Sequence, residues 1–139
     1  MKMKTLFLLP ILLLSLISTS CWGIDWNDLV ERDYIYYKKF TETPFTGKVS
    51  GKKQGEMKNG IKEGEWVNYH KNGKLRSKGS YKNGKKEGGW VSYHENGQLW
   101  NKGSYKNGQI EGEWVGYRED GAVTSNWSGT YKNGRKVSD

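Results

Sequence analysis

Residues 54–139 consist of short runs that alternate aromatic or β-branched residues with polar ones, and turn signals separate the runs. The turn signals are Asn-Gly or Asp-Gly pairs that begin at Asn59, Asn72, Asn83, Asn96, Asn107, Asp120 and Asn133. These pairs supply the positive φ angles that a two-residue type I′ hairpin turn requires. Outside the first 20 residues, no stretch carries the 3.6-residue apolar period of a helix. The pattern predicts an all-β protein, an open antiparallel β-hairpin meander of about ten short strands.

The runs repeat with a period of 24 residues. Three sets of aromatic residues occupy equivalent positions: Trp66, Trp90 and Trp114; Tyr69, Tyr93 and Tyr117; and Tyr81, Tyr105 and Tyr131. The last block comes two residues late because of an insertion around residues 124–128. A fixed period of this length indicates stacked supersecondary units. We therefore predict a repeat sheet over residues 54–139 in which these rings are structural, and a closing strand from Arg135 to Ser138.

Glycines inside the predicted strands suggest how the rings pack. Gly79, Gly88 and Gly103 lie where glycine alone is unfavourable. Rings laid over them from neighbouring strands would offset that loss, since each buried ring covers about 150–250 Å². Trp90 and Tyr93 are an odd number of residues apart, so a regular strand places them on opposite faces. Either both faces carry rings, or a bulge near Gly88 shifts one of them.

The first 20 residues have the composition of a secretory signal. Two lysines precede an apolar run from Leu6 to Ile17, which is too short for a transmembrane span, and small residues then lead to Cys21. Residues 17–21 resemble the lipobox of bacterial lipoproteins, which predicts lipidation of Cys21 and anchoring in the outer membrane. Ordinary cleavage nearby predicts a soluble periplasmic or secreted protein instead. Cys21 is the single cysteine, so no disulfide or CxxC metal pair is expected.

Residues 21–53 precede the regular repeats. Residues 21–33 are polar and mixed, which predicts a tether with a short helical turn. Residues 34–53 predict an N-terminal capping hairpin, with strands at Tyr34–Phe40 and Phe45–Ser50 on either side of Pro44. A repeat array needs such a cap because its end unit is covered on one side only.

The repeated blocks resemble MORN-type repeats, in the bacterial variant found in toxin–antitoxin system YwqK family antitoxins. The pattern Gly-x-Tyr-Lys-Asn-Gly-x-x-Glu-Gly-x-Trp-x-x-Tyr carries the resemblance at Gly79–Tyr93 and Gly103–Tyr117, and Gly55–Tyr69 has Met57 in place of the first tyrosine. The segment Pro44–Val49 is similar to the start of that family, so the resemblance covers about residues 34–139.

This resemblance implies an open, twisted sheet of hairpins with a binding role. The antitoxin family implies a protein that neutralises a partner, and the wider MORN class implies contact with membranes and phospholipids. An exported protein does not reach a cytoplasmic toxin. An immunity-like role in the cell envelope therefore agrees better with the predicted signal segment.

No set of residues predicts an enzyme, a metal site or a cofactor. His70 and His94 are the only histidines, and they occupy one repeat position, which is typical of structural or surface residues. No nucleophile–base signature and no phosphate-binding loop occurs.

A recurring glutamate also has a simpler explanation than a metal site. Glu63, Glu87 and Glu111 occupy one repeat position, and charge pairing with Lys62, Lys86 and similar neighbours accounts for them. Equivalent residues lie two strand spacings apart, about 10 Å, which is too far for shared ligation of a cation.

Composition and charge favour a binding protein. Hydrophobic residues make up 34% of the chain and aromatic residues 14%, which indicates a thin fold with an aromatic core. The formal net charge of +8 suits anionic partners, although the lysines are spread over the turns. Basic residues between aromatic ones could stack single-stranded nucleic acid. An exported protein rarely meets it, so no nucleic-acid partner is expected.

Two binding hypotheses remain. The first is an interaction module that binds an unidentified protein partner along the ringed or lysine-edged face of the sheet. The second is binding to a membrane surface or an anionic polymer through the turn lysines Lys58, Lys71, Lys82, Lys106 and Lys132. A specific contact surface is expected where the repeats differ. Trp100 stands in place of Arg76 and Thr124, and Gly89 in place of Glu65 and Glu113.

Overall fold

A computed structural model describes residues 23–139 of the chain. The predicted signal segment, residues 1–20, and Cys21 lie outside the described residues, so export and lipidation stay predictions. Within residues 23–139, no helix has the length and hydrophobicity needed to span a bilayer.

The described residues form twelve strands and one short 3₁₀ helix, Trp26–Asp28. The strands are β1 Ile24–Asp25, β2 Leu29–Arg32, β3 Ile35–Lys38, β4 Gly47–Ser50, β5 Lys53–Lys58, β6 Ile61–Tyr69, β7 Leu75–Lys82, β8 Lys85–Tyr93, β9 Leu99–Lys106, β10 Gln109–Tyr117, β11 Val123–Lys132 and β12 Arg135–Ser138.

Ten strands form one open sheet in the order β1-β4-β5-β6-β7-β8-β9-β10-β11-β12. From β4 onward, each strand pairs antiparallel with the next one in the chain. This confirms the predicted hairpin meander. β1 is the exception, because it pairs parallel with β4 through Ile24 and Val49. β2 and β3 form a separate two-stranded sheet.

Four of the turns have the predicted type I′ geometry. Asn59, Asn83, Asn107 and Asn133 have φ angles of +49° to +51°, and the glycines that follow have φ angles of +74° to +81°. Asparagine and glycine tolerate this left-handed region better than other residues, so the sequence determines the turn. All four turns lie at the strand ends along one side of the main sheet, and we call this row of turns the Asn-Gly edge.

The other three turns, on the opposite edge, are not type I′, and the prediction was wrong there. Only their glycines have a positive φ, between +82° and +91°. In the first turn, the N–H of Gly73 donates to the carbonyl of His70, and the N–H of His70 donates to the carbonyl of Lys74. This is a three-residue loop, a type I turn followed by a left-handed glycine. The side chain of Asn72 stabilises this loop, since its Oδ1 accepts from the N–H of Lys74 at 3.0 Å.

The predicted packing of rings on glycines is confirmed for Gly79 and Gly103. Trp90 lies against the backbone of Gly79 and Trp114 against that of Gly103, and a Cβ on either glycine would overlap the ring. Both tryptophans are buried. Trp66 packs on Gly55 in the same way, and the indole Nε1 of Trp66 donates to the carbonyl of Glu56 at 3.1 Å.

Gly88 has another role, and the prediction that a ring covers it was wrong. No atom lies within 4 Å of the place where its Cβ would stand, and its φ is +74°. Trp90 pairs with Gly79 while Glu87 pairs with Ser80, so β8 bulges at the two glycines between them, where one alternative placed a bulge. This bulge precedes both Trp90 and Tyr93, so it does not shift one relative to the other. Glycine is required because a bulge of this kind needs a residue with positive φ.

Residues 24–32 are folded and do not form the tether predicted for residues 21–33. Trp26 packs edge-on against Trp66, with ring centroids 6.1 Å apart, and lies 5.2 Å from the ring of Tyr36. Leu29 packs on the same core, which centres on Val49, Met57 and Trp66. The sequence did not reveal this because two apolar anchors within a polar stretch make no periodic pattern.

The predicted capping hairpin of residues 34–53 also differs from the structure. β3 pairs with β2, and only a single bridge between Tyr37 and Pro44 joins it to the segment that follows. β4, the second predicted strand, belongs to the main sheet. The reason is a tight turn at Asp33 and Tyr34, both with positive φ, which makes β2 the nearer partner.

The C-terminal end follows the prediction with an irregular strand. β12 covers Arg135–Ser138 as predicted. Pairing between β10 and β11 shifts from Trp114–Gly129 to Gly116–Thr124, which is the effect of the insertion. At Gly129, the side chain of Lys136 takes the place that a tryptophan has over the earlier glycines.

Candidate functional site

One face of the main sheet, which we call the front face, carries a continuous row of rings. In order along the sheet they are Trp26, Trp66, Tyr81, Trp90, Tyr105 and Trp114. Neighbouring rings meet edge to face, with centroids between 5.1 Å and 6.2 Å apart. Each such pair contributes about 0.5–1.5 kcal/mol beyond the burial of its area. We call this row the aromatic ladder.

Two lysines lie over the aromatic ladder. The Nζ of Lys62 is 4.9 Å from the ring centre of Trp66 and 5.0 Å from that of Tyr81, with Trp26 and Tyr36 within 5.8 Å. Lys86 repeats the arrangement one period later, 4.1 Å from Trp90 and 4.7 Å from Tyr105. Ring faces attract cations, so the ladder holds these ammonium groups in place.

Burial lowers the pKa values of these lysines. Burial and, to a smaller extent, the positive charge of Lys53 together lower the pKa of Lys62 to about 8. Burial also lowers the pKa of Lys86. The pKa of Lys53 is lowered by burial and then by the charge of Arg76. The ammonium groups of these lysines are therefore poorly solvated, and a bound anion would replace part of the stabilisation that water gives to an exposed ammonium group.

A groove of about 970 Å³ adjoins these lysines on the front face, and we call it the front groove. Its charged and aromatic lining residues are Trp26, Lys52, Lys53, Lys62, Tyr69, His70, Lys71, Arg76, Tyr81, Lys86, Trp90, Tyr93, His94, Glu95, Trp100 and Glu119. Six of them are basic and two are acidic. The groove therefore has a positive potential next to aromatic surface.

Two β-bulges place their side chains at this groove. Ser92 pairs with Asn101 while Tyr93 pairs with Leu99, so Trp100 is an extra residue on β9. Arg76 is the equivalent extra residue on β7. A bulge re-aims the side chain that it carries, which explains why both line the groove. The ring of Trp100 lies 5.9 Å from that of His94 and is 40% exposed.

The other predicted binding residues do not come together. Lys58, Lys82, Lys106 and Lys132 each precede one of the type I′ turns, so they lie along the Asn-Gly edge. Lys71 lies in a loop of the opposite edge and lines the front groove. The five turn lysines thus belong to two different edges of the sheet.

The histidines connect neighbouring repeats. The Nε2 of His70 lies 2.9 Å from the carbonyl oxygen of Tyr93, and that of His94 lies 2.9 Å from the carbonyl oxygen of Tyr117. Because a carbonyl can only accept, Nε2 carries the proton and donates it. Each histidine therefore ties its own loop to the next repeat, a structural arrangement.

The recurring glutamates fix the turns of the Asn-Gly edge. The Oε2 of Glu87 accepts from the backbone N–H of Asn107 at 2.8 Å, and Glu63 and Glu111 accept from Asn83 and Asn133 in the same way. The lysine pairing predicted for these carboxylates is wrong, because none of them forms an ion pair within residues 23–139. The backbone N–H of the asparagine in the next turn is the hydrogen-bond partner of each carboxylate instead.

Sequence reasoning missed Lys53, Lys62, Lys86 and Trp26 as parts of a site. A signal for two of them exists, because Lys62 and Lys86 occupy the same repeat position, four residues before a buried tryptophan. Among residues 23–139, no group of three or more potential ligand side chains could hold a metal ion.

The MORN repeat variant is the family whose model matches this chain, over residues 62–83 and 86–107. These two segments are therefore similar to MORN repeats of the variant type, in agreement with the resemblance seen in the sequence. The narrower assignment to the YwqK antitoxins stays a prediction. Neither the curated proteins nor the solved structures include a match to the chain.

Proposed function

We propose that this chain is a non-catalytic interaction module of the bacterial cell envelope, and that it binds a protein partner through the front groove. The observation that carries the proposal is the groove itself, where six basic side chains and the exposed ring of Trp100 lie beside the partly buried aromatic ladder. Tryptophan and arginine in a concave, partly desolvated surface are the residues that most often dominate protein interfaces.

The match to MORN repeats supports a binding role, since these repeats serve as binding modules. An antitoxin- or immunity-like protein, which neutralises its partner by covering it, is one form of this function. The envelope location rests on the signal segment predicted from residues 1–20, and anchoring there rests on the predicted lipidation of Cys21.

Binding to a membrane surface or an anionic polymer through the turn lysines is the alternative. The four lysines of the Asn-Gly edge recur at every second strand, which suits a polymer of regular charge. Glu63, Glu87 and Glu111 lie on the same edge and offset part of that charge. The front groove has only two acidic lining residues, so we favour it over the Asn-Gly edge as the binding surface, and with it the protein partner.

The test compares two exposed tryptophans. The protein is used to capture partners from an envelope extract, and the captured protein is purified and its affinity measured. Trp100→Ala is expected to weaken binding tenfold or more, because the ring lies in the groove. Trp127→Ala removes a more exposed ring on β11, outside the groove, and is expected to leave the affinity unchanged.

A variant with Lys58, Lys82, Lys106 and Lys132 changed to glutamine tests the alternative. Under the proposal, it binds the partner as tightly as the wild type does, and high salt weakens this binding only in part because the aromatic contact is not screened. Binding of the wild-type chain to anionic vesicles, lost in this variant and steeply weakened by salt, would favour the turn lysines instead.

A further inference from the structure

The charge of the front groove reverses along the sheet. One repeat position, in the loops that follow β6, β8 and β10, holds Lys71, Glu95 and Glu119 in turn. Lys52 lies in the loop after β4, beyond Lys71 in the strand order. All the basic lining residues of the groove lie between β4 and the end of β8, whereas both acidic ones follow β8. The groove therefore has a basic end and an acidic end.

The fold does not require this reversal, because the three loops have the same backbone. In each, the N–H of the first residue donates to the carbonyl of the fifth, and the N–H of the glycine donates to the carbonyl of the first. The four charged side chains are exposed. Within residues 23–139, none of them forms an ion pair. They are therefore available to another molecule.

Side-chain hydrogen bonds hold the loops at a fixed spacing. The Nδ2 of Asn72 donates to the carbonyl of Glu95 at 3.0 Å, and that of Asn96 donates to the carbonyl of Glu119 at 3.1 Å. Neighbouring loops of this edge are two strands apart, about 10 Å. A row of charges with a fixed spacing loses little freedom on binding, so it favours a partner with the same spacing and the opposite order. This chain has that spacing, and a rotation by half a turn gives it the opposite order.

We propose that two copies of this chain pair their front grooves in a symmetric dimer. The two-fold axis runs parallel to the strands between β7 and β8, so the copies face each other with opposite strand order. The loops after β6 and β8 then change places, and so do the loops after β4 and β10. Lys71 faces Glu95 of the second copy, and Lys52 faces Glu119 of the second copy. Each contact occurs twice because the interface is two-fold symmetric.

The same axis pairs an arginine with a tryptophan. Arg76 on β7 and Trp100 on β9 are the extra residues of equivalent bulges, and both line the front groove. The axis brings Arg76 close to Trp100 of the second copy. A guanidinium group stacks on an indole ring, and this contact covers the exposed part of that ring. The ion pairs thus gain an apolar contribution.

Like charges limit the affinity of this dimer. Lys53, Lys62 and Lys86 lie over rings of their own chain and meet no carboxylate of the second copy. The chain has a formal net charge of +8, so two copies repel each other at long range. Salt confines this repulsion to about 8 Å at physiological ionic strength. Exposed ion pairs add little each, so we expect a weak and reversible dimer.

The dimer uses the surface of the proposed function but does not depend on its partner. A second copy in the front groove excludes any other protein from it. Self-association would therefore regulate the access of the partner, and the experiment uses this chain alone.

Sedimentation equilibrium is the measurement, and the wild-type protein is expected to shift from monomer to dimer as its concentration rises. Two double variants then make the loop charges uniform. The acidic variant is Lys52→Glu with Lys71→Glu, and the basic variant is Glu95→Lys with Glu119→Lys. Each brings like charges together at every ion-pair position, so each is expected to self-associate about tenfold or more weakly than the wild type.

An equal mixture of the two variants is the central sample. Every loop charge of one variant then faces an opposite charge in the other. A heterodimer at least as stable as the wild-type dimer is therefore expected. Both variants keep a positive net charge, because two reversals change the +8 of the chain by four. Long-range attraction between the variants would thus not explain their association.

Lys58→Glu with Lys82→Glu is the matched control. It changes the net charge as the acidic variant does, but on the Asn-Gly edge. It is expected to self-associate at least as strongly as the wild type. All the substituted side chains are exposed, so the variants are expected to fold, and thermal unfolding followed by circular dichroism checks this.

Three outcomes would overturn the proposal. The first is a wild-type protein that stays monomeric at all concentrations, which would leave the groove to a different protein. The second is equal self-association of the acidic variant and the control, which would place the contact elsewhere. The third is a mixture that associates no more strongly than its components, which would exclude the two-fold arrangement. None of them affects the Trp100 comparison with a captured partner, and unchanged partner affinity in that comparison would leave the dimer test valid.

Discussion

The ring of Trp90 occupies the space that a side chain at Gly79 would need. The two residues face each other across β7 and β8, and Trp90 is 6% exposed although the sheet has a single layer. A single sheet has no second layer to bury its apolar groups, so the glycine backbone provides that surface instead. Gly55 with Trp66, and Gly103 with Trp114, form the equivalent pairs in the neighbouring repeats.

Gly79→Ala is expected to lower the free energy of unfolding by about 1–3 kcal/mol, because the new methyl group overlaps the ring and the backbone must shift. Urea denaturation followed by tryptophan fluorescence measures this. Gly89→Ala is the matched control, since its methyl group enters open space on a neighbouring strand. Equal loss of stability in the two variants would show that the ring does not pack on Gly79.

The fold could be predicted to a large extent because the same turn and packing residues recur in each repeat. Asn83 and Gly84 specify a type I′ turn in one copy, and three other pairs do so again. The position of Gly79, 11 residues before Trp90, likewise indicates that a ring covers it. Local chemistry determines these features, so sequence alone is sufficient.

The candidate site could be predicted less well because it depends on register and on the irregular ends. Trp100 lines the front groove only because β9 carries one extra residue at that point, and pairing registers are not visible in sequence. Trp26 completes the ladder from outside the repeats, where no periodicity identifies it. The Asn72 turn was misjudged because its side-chain bond competes with the left-handed conformation.

Lys62 is expected to make stability depend on pH. Its pKa is about 8 in the folded protein and 10.5 in an unfolded chain. Between these values the unfolded chain binds more protons, so the contribution of Lys62 to the free energy of unfolding rises with pH. The stability of Lys62→Met relative to wild type should therefore decrease between pH 7 and pH 9.

Denaturant titrations at these two pH values measure the effect. Tyr36, Tyr81 and Tyr105 have raised pKa values and act only near pH 10 and above, so they do not interfere. Lys106→Met, at an exposed turn, is the control and should differ from wild type by a constant amount. A constant difference for Lys62→Met would contradict the buried position of this ammonium group.

Glu87→Ala is expected to cost about 0.5–1.5 kcal/mol, because the N–H of Asn107 loses its carboxylate acceptor. Glu87→Gln keeps an acceptor oxygen and should recover a large part of the loss. Thermal unfolding measures both variants.

Addition of calcium should not change the melting temperature of the wild-type protein. A calcium-dependent rise that Glu87→Ala removes would assign the glutamate row to cation binding.

The loops of the opposite edge offer a last test, in which asparagine is replaced by aspartate in one loop and aspartate by asparagine in the equivalent loop. The Nδ2 of Asn96 donates to the carbonyl of Glu119 in the next repeat at 3.1 Å. Asp120 is equivalent to Asn96 but has no amide, and it forms an ion pair with Arg118 inside its own loop.

Asn96→Asp removes the link between repeats and brings a negative charge towards a carbonyl oxygen. It is expected to lower the free energy of unfolding by about 1–2 kcal/mol. Asp120→Asn makes the reverse exchange where the structure has no such link, so it should change stability by less than about 0.5 kcal/mol. Hydrogen exchange would localise the first effect to β8–β11. Equal effects of both variants would mean that the asparagine acts within its own turn, because that role is common to the two loops.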